Sequence, residues 1–171
     1  LYSMASKGVI DALGGSICTG KEANIFRALV GSKELALKIY RISTSNFNVM
    51  QDYLHGDPRF GSVKGTKRAI VAAWTRKEYR NLMRAEEVGV RVPHPITMKE
   101  NILVMDLIGK GDYVAPPLKD VELDSAEAEQ IYQKIVEYIS LLCNQAGLVH
   151  ADLSEFNILY DDGEPVIIDM G

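Results

Sequence analysis

The sequence is poor in the features that would make it a secreted, membrane or redox protein. Among 171 residues there are two cysteines, Cys18 and Cys143. They stand alone, without the paired spacing of a zinc or dithiol motif, so both read as buried thiols in a reducing cytosol. No apolar run approaches the ~18 residues that a membrane helix needs. No signal-peptide pattern opens the chain, and a cytoplasmic protein is expected. There is no internal repeat and no low-complexity tract. A net charge of −4 argues against a protein that coats nucleic acid, although Lys64, Lys67 and Arg68 make a small basic patch. What is present is ordinary for a globular chain, with 47% hydrophobic and 25% charged residues. A chain of this size hides roughly 70% of its unfolded surface, enough for one domain or for two small lobes sharing a cleft.

The first part reads as strands. "ANIFRALV" (Ala23–Val30) and "ELALKIYR" (34–41) are β-rich runs joined by Gly31, Ser32 and Lys33, a hairpin signal. The polar, glycine-punctuated segment 43–67 predicts a long loop. A helix follows from about Ala69, closed by Gly89, and then two strands with a turn near Glu100 and Asn101. Composition changes at 109–112 and again at Pro116 and Pro117, a candidate hinge or lobe boundary. Asp124 and Glu127 have capping-box spacing at the start of a long helix. Ile131, Ile135, Ile139 and Leu142 are expected on its inner face, and Gly147 is expected to end it. The tail "NILYDDGEPVIIDMG" predicts a hairpin turning at Asp161, Asp162 and Gly163. So apolar an ending leads us to expect a chain truncated at Gly171.

The strongest chemical signal is "HADLSEFN" (150–157). It fits H-x-D-L-x-x-x-N, the catalytic-loop pattern of kinase-like phosphotransferases. Four specified residues in eight arise by chance about once in a thousand such chains. Asp152 would face the acceptor and take or orient its proton. Asn157, on the same loop, would reach a metal at the phosphates. Asp169 ends an apolar strand in "IIDMG", where kinases place the aspartate that bridges magnesium to phosphate. One amide oxygen and one carboxylate suit an ion that wants few, hard oxygen ligands from protein. The plainer account, turn chemistry alone, covers Asp161 and Asp162 well. Upstream, Lys38 in "LALKIY" resembles the phosphate-contacting lysine of V-A-I-K. An amine in an apolar strand is costly unless it reaches an anion, yet alternation with Leu37 and Ile39 equally permits it to point to water. Glu78 in "WTRKEYRNL" is the partner candidate. Its spacing from Thr75 would also suit a helix cap, but the periodic pattern begins earlier.

"GSICTGKE" (15–22) has the G-x-x-x-x-G-K spacing of a P-loop, but Glu22 stands where a magnesium-binding hydroxyl is needed. Counting back from Lys38 places it instead over G-x-G-x-x-G-x-V, with Cys18, Gly20 and Ala23 at the glycine positions. The segment then predicts a strand-turn-strand flap, in which Gly20 allows close backbone approach and Lys21 either reaches a terminal phosphate or is a solvated turn lysine.

Taken together, "TGKEAN" (19–24), "ALKIYR-STSNF" around Lys38, "WTRKEYRNL", "VHADLSEFNIL" (149–159) and "IIDMG" (167–171) resemble the RIO family of atypical serine/threonine protein kinases, first subfamily, archaeal form. The likeness runs from about Gly15 to Gly171. It implies an α+β, two-lobed protein-kinase-like fold: an N-lobe at 1–105 with an antiparallel sheet and helix, a hinge at 106–112, and a small helical C-lobe at 113–171. It implies use of ATP with Mg2+, or Mn2+ in its place. Asp152 is then catalytic, Asn157 and Asp169 are metal ligands, and Lys38 sits at the phosphates with Glu78. Backbone at Asp106 and Ile108 would hold adenine, and Asp169 would be a site of aspartyl-phosphate formation. The implied role is maturation of the small ribosomal subunit, with a pre-subunit particle as partner and no membrane. Ala151 stands where ordinary protein kinases have the arginine of H-R-D, and no A-P-E segment is present. Both departures suit the resemblance and weaken any claim to broad peptide-kinase activity. Ser62 and Thr66 are candidate self-phosphorylation sites. Two rivals stand beside this reading. One is a small-molecule phosphotransferase of the aminoglycoside-kinase kind, opposed by "TGKEAN" and the 43–67 insertion. The other is a nucleotide-gated ribosome-assembly factor with little kinase activity.

Overall fold

The computed structural model describes residues 1–42, 50 and 66–171. Most of the 43–67 segment, with Ser62 and Lys64, lies outside the described residues; Thr66 lies within them and is exposed. The described chain forms two compact units, one of Leu1–Tyr79 with Pro95–Leu107, the other of Arg80–His94 with Ile108–Gly171.

The first unit is built on a five-stranded antiparallel sheet in the order β1-β2-β3-β5-β4. Its strands are β1 (Ala12–Thr19), β2 (Ala23–Val30), β3 (Lys33–Tyr40), β4 (Pro95–Lys99) and β5 (Ile102–Asp106). The β2–β3 hairpin turns where the sequence places it, with Gly31 at φ 57 and its N–H donating to the Asp11 carboxylate at 2.6 Å. Because strand side chains alternate, β3 serves two cores. Leu35 and Leu37 pack with Met4, Ile10, Ala28, Ile102 and Val104 on one face. Tyr40 packs on the other with Ala23, Met50 and the helical residues Ile70, Val71 and Ala73. A short helix, α1 (Tyr2–Ala5), supplies Met4. The long helix α2 (Lys67–Glu87) begins two residues before the periodic pattern does.

The second unit includes α3 (Ser125–Leu141), continued by one π-helical turn (Leu142–Ala146) and stopped by Gly147 in the left-handed region. Asp124 caps α3 as expected: its side chain accepts from the N–H groups of Ala126 and Glu127, while Glu127 accepts from the Asp124 N–H. Cys18 on β1 and Cys143 in the π-helical turn, both expected to be buried, are exposed. The expected inner face of α3 also needs correction. Ile131 and Leu142 are buried, but Ile139 is 41% exposed and Tyr138 is the buried neighbour. At 3.6 residues per turn, Ile139 lies about 80° round the helix from Ile131, whereas Tyr138 lies only about 20° away. Burial pushes the Tyr138 phenol above its ordinary pKa.

Short strands β6 (Gly109–Lys110) and β7 (Tyr113–Val114) pair where the composition changes. The tail forms the hairpin β8 (Ile158–Asp161) and β9 (Glu164–Ile167). Asp162 and Gly163 both have positive φ, 53 and 79, as a two-residue type I′ turn requires. Among the described residues, no helix is long and apolar enough to cross a membrane.

Candidate active site

Lys38 lies in the middle of β3, opposite Ile25 of β2 and Leu103 of β5. It shares a strand face with Tyr40, and that face is covered, so Lys38 is only 7% exposed. The solvated alternative that alternation permits is therefore not the one adopted. A buried ammonium must be paired. Its Nζ donates to Glu78 Oε1 at 2.7 Å, and Glu78 is 1% exposed. The other carboxylate oxygen, Oε2, accepts from the Tyr40 hydroxyl. Glu78 is the twelfth residue of α2, in mid-helix, so it caps nothing. Tyr40 is a member of this cluster that sequence reading missed. The signal available was its period-two relation to Lys38.

The flap is a strand-turn-strand. Gly20, Lys21 and Glu22 join β1 to β2, and no helix follows, which removes the P-loop reading. The Gly20 N–H donates to the Ala23 carbonyl at 2.9 Å, and a Cβ on Gly20 would come within 3.1 Å of that oxygen. The turn is tight enough to favour glycine there. Lys21 is exposed. Asp106 ends β5, and its carboxylate lies 2.6 Å from Lys33 Nζ. Ile108 follows two residues later, and its carbonyl accepts from the Ala115 N–H at 3.0 Å.

In the second unit the predicted catalytic loop is closed on itself. Asn157 Nδ2 donates to the Asp152 carbonyl at 2.8 Å and to Asp152 Oδ2 at 3.2 Å. Committing its amide nitrogen to Asp152 leaves the Asn157 amide oxygen as the ligand-type atom. Ala151 takes φ 66, a left-handed conformation between His150 and Asp152. Asp169 was expected to end the apolar strand, but β9 stops at Ile167 and Asp169 follows two residues later; the loop is stitched to this segment. The Ile168 N–H donates to the Asn157 carbonyl at 3.1 Å, and the Ile168 carbonyl accepts from His150 Nε2 at 2.7 Å. That bond places the His150 proton on Nε2. His150 Nδ1 is buried without a hydrogen-bond partner among the described residues. Asp152 and Asp169 are exposed and Asn157 is half-buried. Asp169 itself takes φ 61.

Two further residues hold this region, and neither stood out in the sequence because both act over long separations. Arg91 donates to the Asp161 carbonyl and carboxylate at 2.7 and 2.6 Å, and its own carbonyl accepts from the Ile167 N–H at 2.9 Å, so it grips both strands of the β8–β9 hairpin. Asn81 donates to the Met170 carbonyl at 2.7 Å. As to a metal, no three His, Cys, Asp or Glu side chains cluster as a site among the described residues. The donors offered by Asn157 and Asp169 are an amide oxygen and an exposed carboxylate. Such a sparse, hard-oxygen set fits Mg2+ shared with phosphate oxygens rather than a fully protein-caged ion.

A buried pair between a sheet lysine and a helix glutamate, and a unit carrying an H-x-D loop stitched to the Asp-bearing segment after β9, define a protein-kinase-like α+β protein. Residues 24–171 match the family model described as RIO domain. The chain is 49% identical over its whole length to a RIO-type serine/threonine-protein kinase Rio1 of Haloferax volcanii, covering 58% of that protein. It is 42% identical over 99% of its length to serine/threonine-protein kinase RIO1 of Homo sapiens, covering 30% of that protein. A crystal structure of a Rio2 kinase-ADP/Mg2+-phosphoaspartate complex from Chaetomium thermophilum superposes with a TM-score of 0.70 at 25% identity, over 99% of this chain and 50% of that one. The chain belongs to the RIO family. It spans between about a third and three fifths of the length of these curated relatives.

Proposed function

We propose that the chain carries the ATP- and Mg2+-dependent centre of an atypical serine/threonine phosphotransferase. The observation that bears most weight is the closed Asp152–Asn157 loop, stitched through Ile168 to the segment after β9 that bears Asp169. In this reading the chain divides into lobes 1–105 and 113–171 with the hinge 106–112. Backbone at Asp106 and Ile108 holds adenine, and the flap residues Gly20 and Lys21 cover the phosphates. Lys38, oriented by Glu78, contacts the α- and β-phosphates. Asn157 and Asp169 hold the metal through their oxygens. Mg2+, when bound, neutralises charge on the phosphates being transferred. Asp152 orients the acceptor hydroxyl and takes its proton as the oxygen attacks the γ-phosphorus and ADP leaves. Asn157, by donating to Asp152, fixes the direction of that carboxylate.

The phosphoaspartate named for the Rio2 neighbour favours a second output, ATP hydrolysis through a phosphorylated Asp169. Here a carboxylate oxygen of Asp169 attacks the γ-phosphorus, ADP departs, and water later releases phosphate. A switch of this kind suits a cytoplasmic factor acting on a pre-small-ribosomal-subunit particle. The test is incubation with γ-labelled ATP. Label on hydroxyl side chains supports the kinase reading, with Thr66 and Ser62 the expected acceptors. Base-labile label on Asp169 with free phosphate supports the hydrolytic one. No Mg2+-dependent turnover of any kind would overturn both.

A further inference from the structure

Asp169 takes φ 61, a left-handed conformation that is uncommon for residues with a side chain, though aspartate tolerates it better than most. Such a conformation persists only where neighbouring groups fix it. On the preceding side both peptide groups of Ile168 are engaged, by Asn157 and by His150. On the following side the Met170 carbonyl, within a residue only 2% exposed, accepts from Asn81 Nδ2 at 2.7 Å. Asn81 lies on α2, three positions after Glu78, and is itself 5% exposed. Its amide thus reaches across 89 positions of sequence to the residue beside a proposed metal ligand.

We propose that Asn81 is a positioning residue that aims the Asp169 carboxylate by fixing the peptide immediately after it. This rests on the reading of Asp169 as a metal ligand. Asn81 touches neither metal nor nucleotide in this account; it acts through Met170. A neutral donor is what the position needs. A leucine there would leave a buried carbonyl without its donor, and the backbone would shift to find another. Groups that orient ligands from behind are worth 10–100-fold in metal affinity.

The test measures Mn2+ binding by electron paramagnetic resonance, with a non-hydrolysable ATP analogue present. It compares the unaltered chain with Asn81→Leu, Asn81→Ala and Ile131→Val. Ile131 is a buried residue of α3 outside the site, so its variant reports destabilisation alone. The expected result is a rise of about 10–100-fold in the Mn2+ dissociation constant for both Asn81 variants. Analogue binding without metal should stay within about twofold, and Ile131→Val should keep the original Mn2+ affinity. Thermal midpoints confirm that each protein is folded, and Asn81→Ala, which adds no bulk, covers the case in which leucine is not accommodated. Unchanged Mn2+ affinity in a folded Asn81 variant would overturn the positioning role while leaving Asp169 as a ligand. If the unaltered chain bound the analogue no better with Mn2+ than without, Asp169 would lose its assigned role and the inference would fall with it.

Discussion

The two groups of charged residues in this chain live in opposite solvents. Lys38 and Glu78 are almost wholly buried, and with Tyr40 they form a dry ionic cluster inside the first unit. Asp152 and Asp169 are exposed, and Asn157 is half-exposed, on the segments that flank β8 and β9 in the second unit. A buried pair is strong because its members have little water to fall back on; removing one leaves the other buried without that partner. An exposed carboxylate can be neutralised with little structural consequence. The same family of substitutions should therefore separate cleanly, with chemistry lost in one region and stability lost in the other.

The largest effect is expected at Asp152. Asp152→Asn should lower turnover about 10²–10⁴-fold, equivalent to about 3–5 kcal/mol of barrier, with the thermal midpoint unmoved and ATP binding largely kept. Unchanged turnover would defeat the proton-accepting role. Next comes Glu78→Leu, which leaves the Lys38 ammonium buried without its carboxylate and should cost about 3–5 kcal/mol of unfolding free energy, read from the urea midpoint. Pairing it with Lys38→Met sharpens the contrast. The double variant should recover most of that stability, because two apolar groups replace a desolvated pair, yet remain inactive. A double variant as unstable as Glu78→Leu alone would show that packing, not the lost ion pair, sets the loss. Tyr40→Phe should cost less, about 1–3 kcal/mol, since it removes one hydrogen bond to Glu78 Oε2 and leaves the ion pair.

The same contrast explains what could be read from the sequence. Features set by a few neighbouring residues were legible: the Gly31 hairpin, the Asp124 cap, and the turn at Asp162 and Gly163. The pairing of Lys38 with Glu78, 40 positions apart, was legible only because both residues sit in stretches that resemble kinase motifs. Alternation alone did not settle the burial of Lys38, because it reports which side chains share a face and says nothing of whether that face is covered; the inward reading came from the kinase motifs. Tyr40, Asn81 and Arg91 were missed for a related reason. Each becomes informative only through a partner 38, 89 or 70 positions away. Ile139 was placed inward by counting apolar residues, and the helix turned Tyr138 inward instead. An aromatic with a polar tip scores weakly as core, although its ring is the larger apolar surface.

The smallest effect belongs to the Asp124 cap, and it tests whether the second unit's exposed carboxylates are all structurally dispensable. Asp124 is exposed like Asp152, but its oxygen accepts from two helical N–H groups, at 2.8 Å from Ala126 and 2.9 Å from Glu127. Those donors have no partner within the helix, and the negative charge also faces the positive end of the helix dipole. Asp124→Ala should therefore cost about 1 kcal/mol of stability, read from the urea midpoint, with turnover per folded molecule unchanged. Asp124→Asn, which keeps the accepting oxygen and drops the charge, should cost less than half of that. A loss of stability at Asp124 beside none at Asp152 would show that what an exposed carboxylate contributes to the fold depends on the donors it holds rather than on its exposure.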